Sequence, residues 1–149
     1  ATHCCTLATK GHRRHRRCFS AVGYVGGKQP LSLGDGCLYL AVAVHELLHA
    51  LGFQHEHMRP DRDQHLKIML DNVIPEYRDQ FEKRKWSSEA VRSPFVITSV
   101  MKYGSQAFAR TSSKPTILTK AGKRLPEVYE KKGLSKWDMR RGNEFYKWK

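Results

Sequence analysis

The segment that most constrains the fold is HELLHALGFQH, residues 45–55. His45 and His49 are four residues apart, so on an α-helix they share one face, with Cβ atoms about 5–6 Å apart. Two imidazoles at that spacing can bind one zinc ion at about 2.0–2.1 Å each. Glu46 would then lie beside the ion, where its carboxylate can hold a metal-bound water. This HExxH pattern predicts a helix that carries a zinc site.

A third ligand requires the chain to turn after this helix. Zinc in hydrolytic sites usually has three protein ligands and one open position. His55 is the candidate, but on a straight helix it would lie about 15 Å along the axis from His45. Gly52 lies between them, and glycine readily adopts the left-handed conformation that ends helices. We therefore expect the helix to end near Leu51 and His55 to return to the same ion.

A buried core helix is the alternative interpretation of this apolar segment. The residues from 38 to 53 read LYLAVAVHELLHALGF, which is apolar enough for a core position, and a single buried histidine is usually structural. A core helix, however, needs neither a glycine at position 52 nor a third histidine after it. The whole pattern therefore favours the metal site.

Residues 45–63 read HELLHALGFQHEHMRPDRD, which resembles the extended zinc signature of the astacin family, HExxHxxGFxHExxRxDRD. Astacins are metzincins, a class that has a methionine turn downstream of the zinc motif. The segment SVMKYGSQAFA, residues 99–109, is similar to the family's SxMHYG turn. Residues 18–37 look like its cysteine-bounded hairpin, and residues 133–147 resemble its closing helix. The resemblance thus covers nearly the whole chain.

The resemblance implies an α+β fold of the metzincin zinc-protease type. Residues 1–149 would form a single astacin-like catalytic domain. Its upper half, residues 1–55, would contain a sheet and the zinc helix. Its lower, irregular half, residues 56–149, would contain the methionine turn and the C-terminal helix. The implied function is that of a secreted zinc-dependent endopeptidase that hydrolyses peptide bonds of protein or peptide substrates.

The resemblance also implies the roles of the metal-site residues. One Zn²⁺ per chain would be held by His45, His49 and His55, and it would lower the pKa of a bound water from about 15.7 toward about 7. Glu46 would act as the general base that takes the proton of this water and passes it to the leaving amine.

Three further roles come from the same resemblance. Tyr103 would be a weak additional metal ligand that moves away to hydrogen-bond the developing oxyanion; the alternative is a core aromatic after a tight turn. Met101 would pack beneath the metal without binding it. Glu56 would anchor the N-terminus that propeptide removal creates.

The chain departs from the family pattern in several places. Residues before Cys18 match poorly, so we expect the N-terminal strand and helix of the upper half to be absent. Lys102 replaces the usual histidine of the methionine turn, and Trp148 stands where the family has a cysteine that closes the domain. The family's hairpin then implies a Cys18–Cys37 disulfide. Two hypotheses follow: an active endopeptidase, or a truncated or non-catalytic astacin-like module that binds zinc or partners without turnover.

The other two cysteines, Cys4 and Cys5, have no predicted partner, and adjacent cysteines rarely pair with each other. With His12 and His15 they lack an ordered ligand spacing, so we predict no second metal site there. The chain has no initiator methionine and no signal-peptide pattern at its start, so we expect a mature or excised segment.

The charge of the chain suggests partners but does not identify them. The formal net charge is +13, and residues 10–18, KGHRRHRRC, concentrate part of it. This charge could favour acidic substrates, anionic glycans or cell surfaces, or it could belong to a solvated loop. No motif supports specific nucleic-acid binding, and the longest apolar run is too short for a membrane span. The sequence does not predict an oligomeric state.

Hydrophobic periodicity and breaker residues predict the secondary structure. Ser135 and Asp138 form a capping-box-like start for the last helix. The other expected elements are strands at 19–25 and 29–33, the zinc helix at 38–51, a strand at 65–70, a helix at 75–84 and a loop-rich region at 104–126.

Overall fold

The computed structural model describes residues 18–85 and 93–147, and within these residues the α+β class predicted from the sequence is confirmed. The predictions for Cys4 and Cys5, for the basic residues 10–17 and for Trp148 lie outside the described residues. The helices and strands of the described part are β1 Cys18–Ser20, β2 Leu31–Leu33, α1 Leu40–Ala50, β3 Leu66–Ile68, β4 Ile117–Thr119 and α2 Lys136–Tyr146, with short 3-10 helices between them.

The first sheet is an antiparallel hairpin of β1 and β2 that lies against α1. Its register pairs Cys18 with Leu33, and the predicted Cys18–Cys37 disulfide is present. Both strands are shorter than predicted, because Gly23, Gly26 and Gly27 have positive φ angles and spread the connection over a wide turn. The backbone N–H of Gly23 donates to the carbonyl of His49 at 2.8 Å, so this turn rests on the end of α1.

Helix α1 ends where the sequence predicts. Leu51 is its C-terminal cap, and Gly52 follows with φ +91°, a conformation that L side chains rarely adopt. The N–H groups of Gly52 and Phe53 donate to the carbonyls of His49 and Leu48, which satisfies two of the last carbonyls of the helix. The chain therefore reverses direction within a few residues.

The second sheet includes a strand that the sequence does not predict. Within the loop-rich region predicted at 104–126, residues Ile117–Thr119 form β4 and pair antiparallel with β3, with Ile117 opposite Ile68. Three residues between Pro115 and Gly122 are too few for a periodic signal, and their pairing depends on a strand some fifty residues away. Ile117 is fully buried in a core cluster with Leu66, Val73, Phe81, Tyr103 and Leu125.

The helix predicted at 75–84 is present as a 3-10 helix, Pro75–Phe81, with Pro75 in its first turn, and it is shorter than predicted. A longer α-helix would need the N–H of Arg84 to donate to the carbonyl of Gln80. Instead, Arg84 donates to Met58 at 2.8 Å, and the Gln80 carbonyl accepts from the His57 ring. Tertiary hydrogen bonds have therefore replaced the helical ones.

Helix α2 starts at the predicted cap and packs across the domain. Ser135 and Asp138 form the expected capping box. At the other end of the helix, the Tyr146 hydroxyl donates to the carbonyl of Leu51, the residue that caps α1. The C-terminal helix is thereby joined to the segment that carries the three histidines.

The disulfide closes the hairpin onto the start of α1, and its loss is expected to destabilise the chain. The loop between Cys18 and Cys37 has a sequence separation of 19, for which chain entropy predicts about 3 kcal/mol. We expect Cys18→Ser/Cys37→Ser to lower the free energy of unfolding in urea by about that amount. Dithiothreitol should destabilise the parent and leave the double variant unchanged; equal sensitivity of both proteins would contradict the prediction.

Candidate metal centre

Three imidazoles converge at the end of α1. His45 and His49 come from the buried face of the helix, and His55 comes from the segment that returns after Gly52. The Nε2 atom of His55 lies 3.2 Å from that of His45 and 3.1 Å from that of His49. Tetrahedral zinc with bonds of about 2.0–2.1 Å would separate its ligand nitrogens by about 3.3–3.4 Å. The spacing of the three atoms therefore fits a single ion.

The hydrogen bonds of the rings assign their tautomers. Nδ1 of His45 donates to the carbonyl of Val100 at 2.8 Å, and Nδ1 of His49 donates to the carbonyl of Phe53 at 2.8 Å. A carbonyl can only accept, so the proton is on Nδ1 and the lone pair is on Nε2. The Nε2 lone pairs of His45 and His49 therefore take no part in these hydrogen bonds to the backbone, and each Nε2 lies within 3.2 Å of that of His55. This arrangement is typical of metal-binding histidines.

The protonation state of the cluster also suits a metal. Burial lowers the pKa of His49 to about 4. Burial, together with the neighbouring imidazoles, lowers the pKa of His45 and His55 well below the ordinary value. The three rings are therefore neutral near pH 7, which is the form that binds a metal.

Glu46 lies on α1 directly after the first histidine, and its side chain is buried, with an exposed fraction of 1%. A buried carboxylate is costly unless hydrogen bonds or a nearby cation stabilise it. The structure thus has a buried acid at the position that follows the first histidine, and its role as the general base stays a prediction.

The methionine turn lies against the histidine cluster. Met101 is buried with Leu48 and Phe53, and its carbonyl accepts from the N–H of Glu56 at 2.9 Å. Tyr103 has its ring centroid 4.5 Å from that of His55. Its ring also belongs to the core cluster around Phe81, so both interpretations of Tyr103 agree with its position and its ligand role stays a prediction.

His57 is a residue that the sequence analysis missed. Its ring stacks on Tyr103 at 4.1 Å between centroids, and its Nε2 donates to the carbonyl of Gln80 at 3.0 Å. Burial lowers its pKa to about 3. A neutral imidazole therefore supports the ring of Tyr103. The one sequence signal for His57 is its place in the string HEH, residues 55–57.

Glu56, the predicted anchor of an N-terminus, is fully buried beside His55. Arg141 of α2 donates to its two carboxylate oxygens at 2.5 and 3.0 Å. The N–H of Val96 donates to it at 2.7 Å. The N-terminus lies outside the described residues, so the anchoring role stays a prediction. Arg141 was not singled out from the sequence.

Two charged side chains hold the methionine turn from the C-terminal side. The Asp138 carboxylate accepts from the Ser99 hydroxyl at 2.6 Å and from the Val100 N–H at 3.0 Å. The Lys131 ammonium donates to the carbonyls of Ser99 and Lys102. The sequence predicts Asp138 only as part of the helix cap. The carbonyl of Val100 accepts the hydrogen bond from the His45 ring. The contacts that fix the backbone around Val100 therefore also help to orient His45.

Lys102, which replaces the family's usual histidine, is fully buried. Its ammonium donates to the carbonyl of Tyr103 at 3.1 Å. Burial, with Lys131 nearby, lowers its pKa to about 7. The substitution therefore places an amine inside the protein, behind the methionine turn.

Comparison with known proteins identifies relatives of this arrangement. The chain is 40% identical over 132 residues to zinc metalloproteinase nas-15 of Caenorhabditis elegans, and the match covers 88% of the chain and 23% of that relative. It is 38% identical over 130 residues to high choriolytic enzyme 2 of Oryzias latipes, covering 87% and 46%, respectively. The chain thus spans less than half the length of these relatives.

A solved structure has the same fold. High choriolytic enzyme 1, a hatching enzyme zinc-protease from Oryzias latipes, superimposes with a TM-score of 0.81 at 34% identity, covering 96% of this chain and 68% of that one. Within the described residues, no helix is both long and apolar enough to cross a membrane. The family model for astacin, which describes a family of peptidases, matches residues 9–147. The chain therefore belongs to the astacin family.

Proposed function

We propose that this chain is a secreted zinc-dependent endopeptidase that hydrolyses peptide bonds of protein or peptide substrates. The observation that carries the proposal is the convergence of three Nε2 atoms, two of which have their lone pair set by Nδ1 hydrogen bonds to backbone carbonyls. The similarity to proteins named zinc metalloproteinases supports it. The disulfide supports secretion, because such bonds persist in oxidising compartments.

One zinc ion per chain would be held by His45, His49 and His55. When bound, zinc supplies a Lewis acid that polarises a carbonyl oxygen and acidifies a water molecule. With three imidazoles as ligands, one coordination position would stay open to water or substrate. Their Nδ1 hydrogen bonds to Val100 and Phe53 would keep the rings of His45 and His49 oriented during turnover.

Glu46 would accept the proton of the attacking water and deliver it to the amine that leaves. Its burial, which keeps the carboxylate away from bulk water, and its place directly after His45 on α1 support this role. General acid–base catalysis of this kind typically contributes about 10²–10⁴-fold. Tyr103, beside His55, would donate a hydrogen bond from its hydroxyl to the substrate carbonyl oxygen as negative charge develops on it.

We infer that residues 1–149 act as one catalytic domain, with an upper half at 1–55 and a lower half at 56–149. Supporting this division, α1 supplies two of the histidines, and His55 directly precedes the 3-10 helix Glu56–Met58. Substrate would then lie between the halves. The net charge of +13 supports binding to anionic surfaces, including glycans.

The decisive experiment measures zinc and peptide-bond cleavage together. We expect about one zinc per chain, and casein cleavage that 1,10-phenanthroline abolishes. Glu46→Gln should keep the zinc and lower turnover by about 10²–10⁴-fold. Glu82→Gln, which changes an exposed carboxylate outside the site, is the matched control and should retain parent activity. Zinc without cleavage would favour the non-catalytic module, and absence of zinc would show that the site assignment is wrong.

The buried neutral histidines also predict that the metal-free protein is sensitive to acid. The pKa of His49 is about 4 in the folded chain and about 6.5 in the unfolded chain. Between these values the unfolded chain binds more protons, so the free energy of unfolding falls as the pH drops from about 6.5 to about 4. The expected slope is ~1.4 kcal/mol per pH unit for this histidine.

Urea unfolding in the presence of a chelator, at several pH values across that window, tests this prediction. His49→Gln removes the titrating group and should make the pH dependence shallower by the same slope. If the parent and the variant lose stability equally with acid, the predicted contribution of His49 is wrong.

A further inference from the structure

Arg141 is a buried arginine whose two terminal nitrogens both bind the carboxylate of Glu56. Its side chain is 6% exposed. The two terminal nitrogens donate to the two carboxylate oxygens of Glu56 at 2.5 and 3.0 Å, and Nη2 also donates to the carbonyl of Pro94 at 2.7 Å. Nε donates to the hydroxyl of Ser93 at 2.7 Å. A guanidinium that binds both oxygens fixes the carboxylate in orientation as well as in position.

Two buried arginines lie near Glu56, and each has a different acid as its closer partner. Arg59 is also buried near Glu56, at 3.4 Å, but its closer partner is Asp61, to which it donates at 2.9 and 2.8 Å. Arg141 is therefore the main counter-charge of Glu56. The pair joins residues that are 85 positions apart in the sequence.

Glu56 transmits this constraint to the metal cluster, because it directly follows His55. Its backbone N–H donates to the carbonyl of Met101, and its side chain is held by Arg141 and by the N–H of Val96. His55 itself has an extended backbone, with φ −65° and ψ 131°, and lies outside any α-helix. Its ring contacts those of His57 and Tyr103, and its backbone is continuous with that of Glu56, so the contacts of Glu56 also fix its position.

We infer that Arg141 is a positioning residue of the metal centre: by fixing the carboxylate of Glu56, it holds His55 where its Nε2 meets the other two imidazoles. This inference rests on the proposed zinc site. Residues that hold metal ligands in place typically change metal affinity by about 10–100-fold when they are replaced. Arg141 would act only by orienting the segment that contains His55 and Glu56.

The test compares three single variants of the full chain. Arg141→Gln removes the charge and the paired contact, and Arg141→Lys keeps the charge but cannot bind both oxygens in the same plane. Arg140→Gln is the matched control, because Arg140 is the adjacent residue of α2, is exposed, and forms its ion pair with Glu144 at the surface. Zinc affinity is measured by competition with a chelating dye, and ligand geometry by the visible spectrum of the cobalt-substituted protein.

We expect Arg141→Gln to weaken zinc binding by about 10–100-fold and to change the cobalt spectrum. Arg141→Lys should give an intermediate loss, and Arg140→Gln should match the parent. The double variant Glu56→Gln/Arg141→Gln removes both charges of the buried pair, so it should fold even if Arg141→Gln does not. It too should bind zinc weakly, because the paired contact remains absent.

Urea unfolding of the metal-free proteins separates positioning from general stability. If the Arg141 variants are less stable but bind zinc with the parent's affinity and give its cobalt spectrum, Arg141 is only structural and the inference is overturned. Parent-like affinity of the double variant would overturn it as well. Failure of the parent itself to bind zinc would instead refute the proposed function.

Discussion

The reversal of the chain at Gly52 is the constraint on which the rest of the metal centre depends. A helix can place two imidazoles on one face, but it carries any later residue away along its axis. The positive φ of Gly52 ends α1, and the carbonyls of Leu48 and His49 accept the N–H groups of the turn. The Nε2 atom of His55 can then lie 3.2 Å from the Nε2 atom of His45. A residue with a side chain at position 52 would be strained in this conformation.

The C-terminal part of the chain holds the same cluster from the opposite side. Asp138 binds the backbone of Val100, whose carbonyl orients His45. Arg141, three residues later, binds the carboxylate next to His55. Because residues three apart share a helix face, one face of α2 reaches two of the three histidines. The metal centre therefore depends on a helix that contributes no ligand to the cluster.

Local patterns predicted some elements well and others poorly. The end of α1 and the cap of α2 follow from short-range chemistry, namely a glycine and a reciprocal pair of side-chain hydrogen bonds. Strand β4 was missed because three residues give no period and the strand exists only where β3 pairs with it. The helix predicted from Pro75 is present as a 3-10 helix, but it ends before residue 84, because the N–H of Arg84 donates to the carbonyl of Met58, a contact that the local pattern does not contain.

The sequence by itself determined the candidate metal ligands, because the spacing of His45 and His49 and the turn before His55 are local properties. Its zinc signature and methionine turn also pointed to the family. Only the tertiary structure decided which side chains orient those ligands. Arg141 and Glu56 are 85 residues apart. The periodicity of hydrophobic residues along the chain gives no information about a contact between residues so far apart. A buried charge pair of this kind depends on how α2 packs against the rest of the domain, which local sequence does not encode.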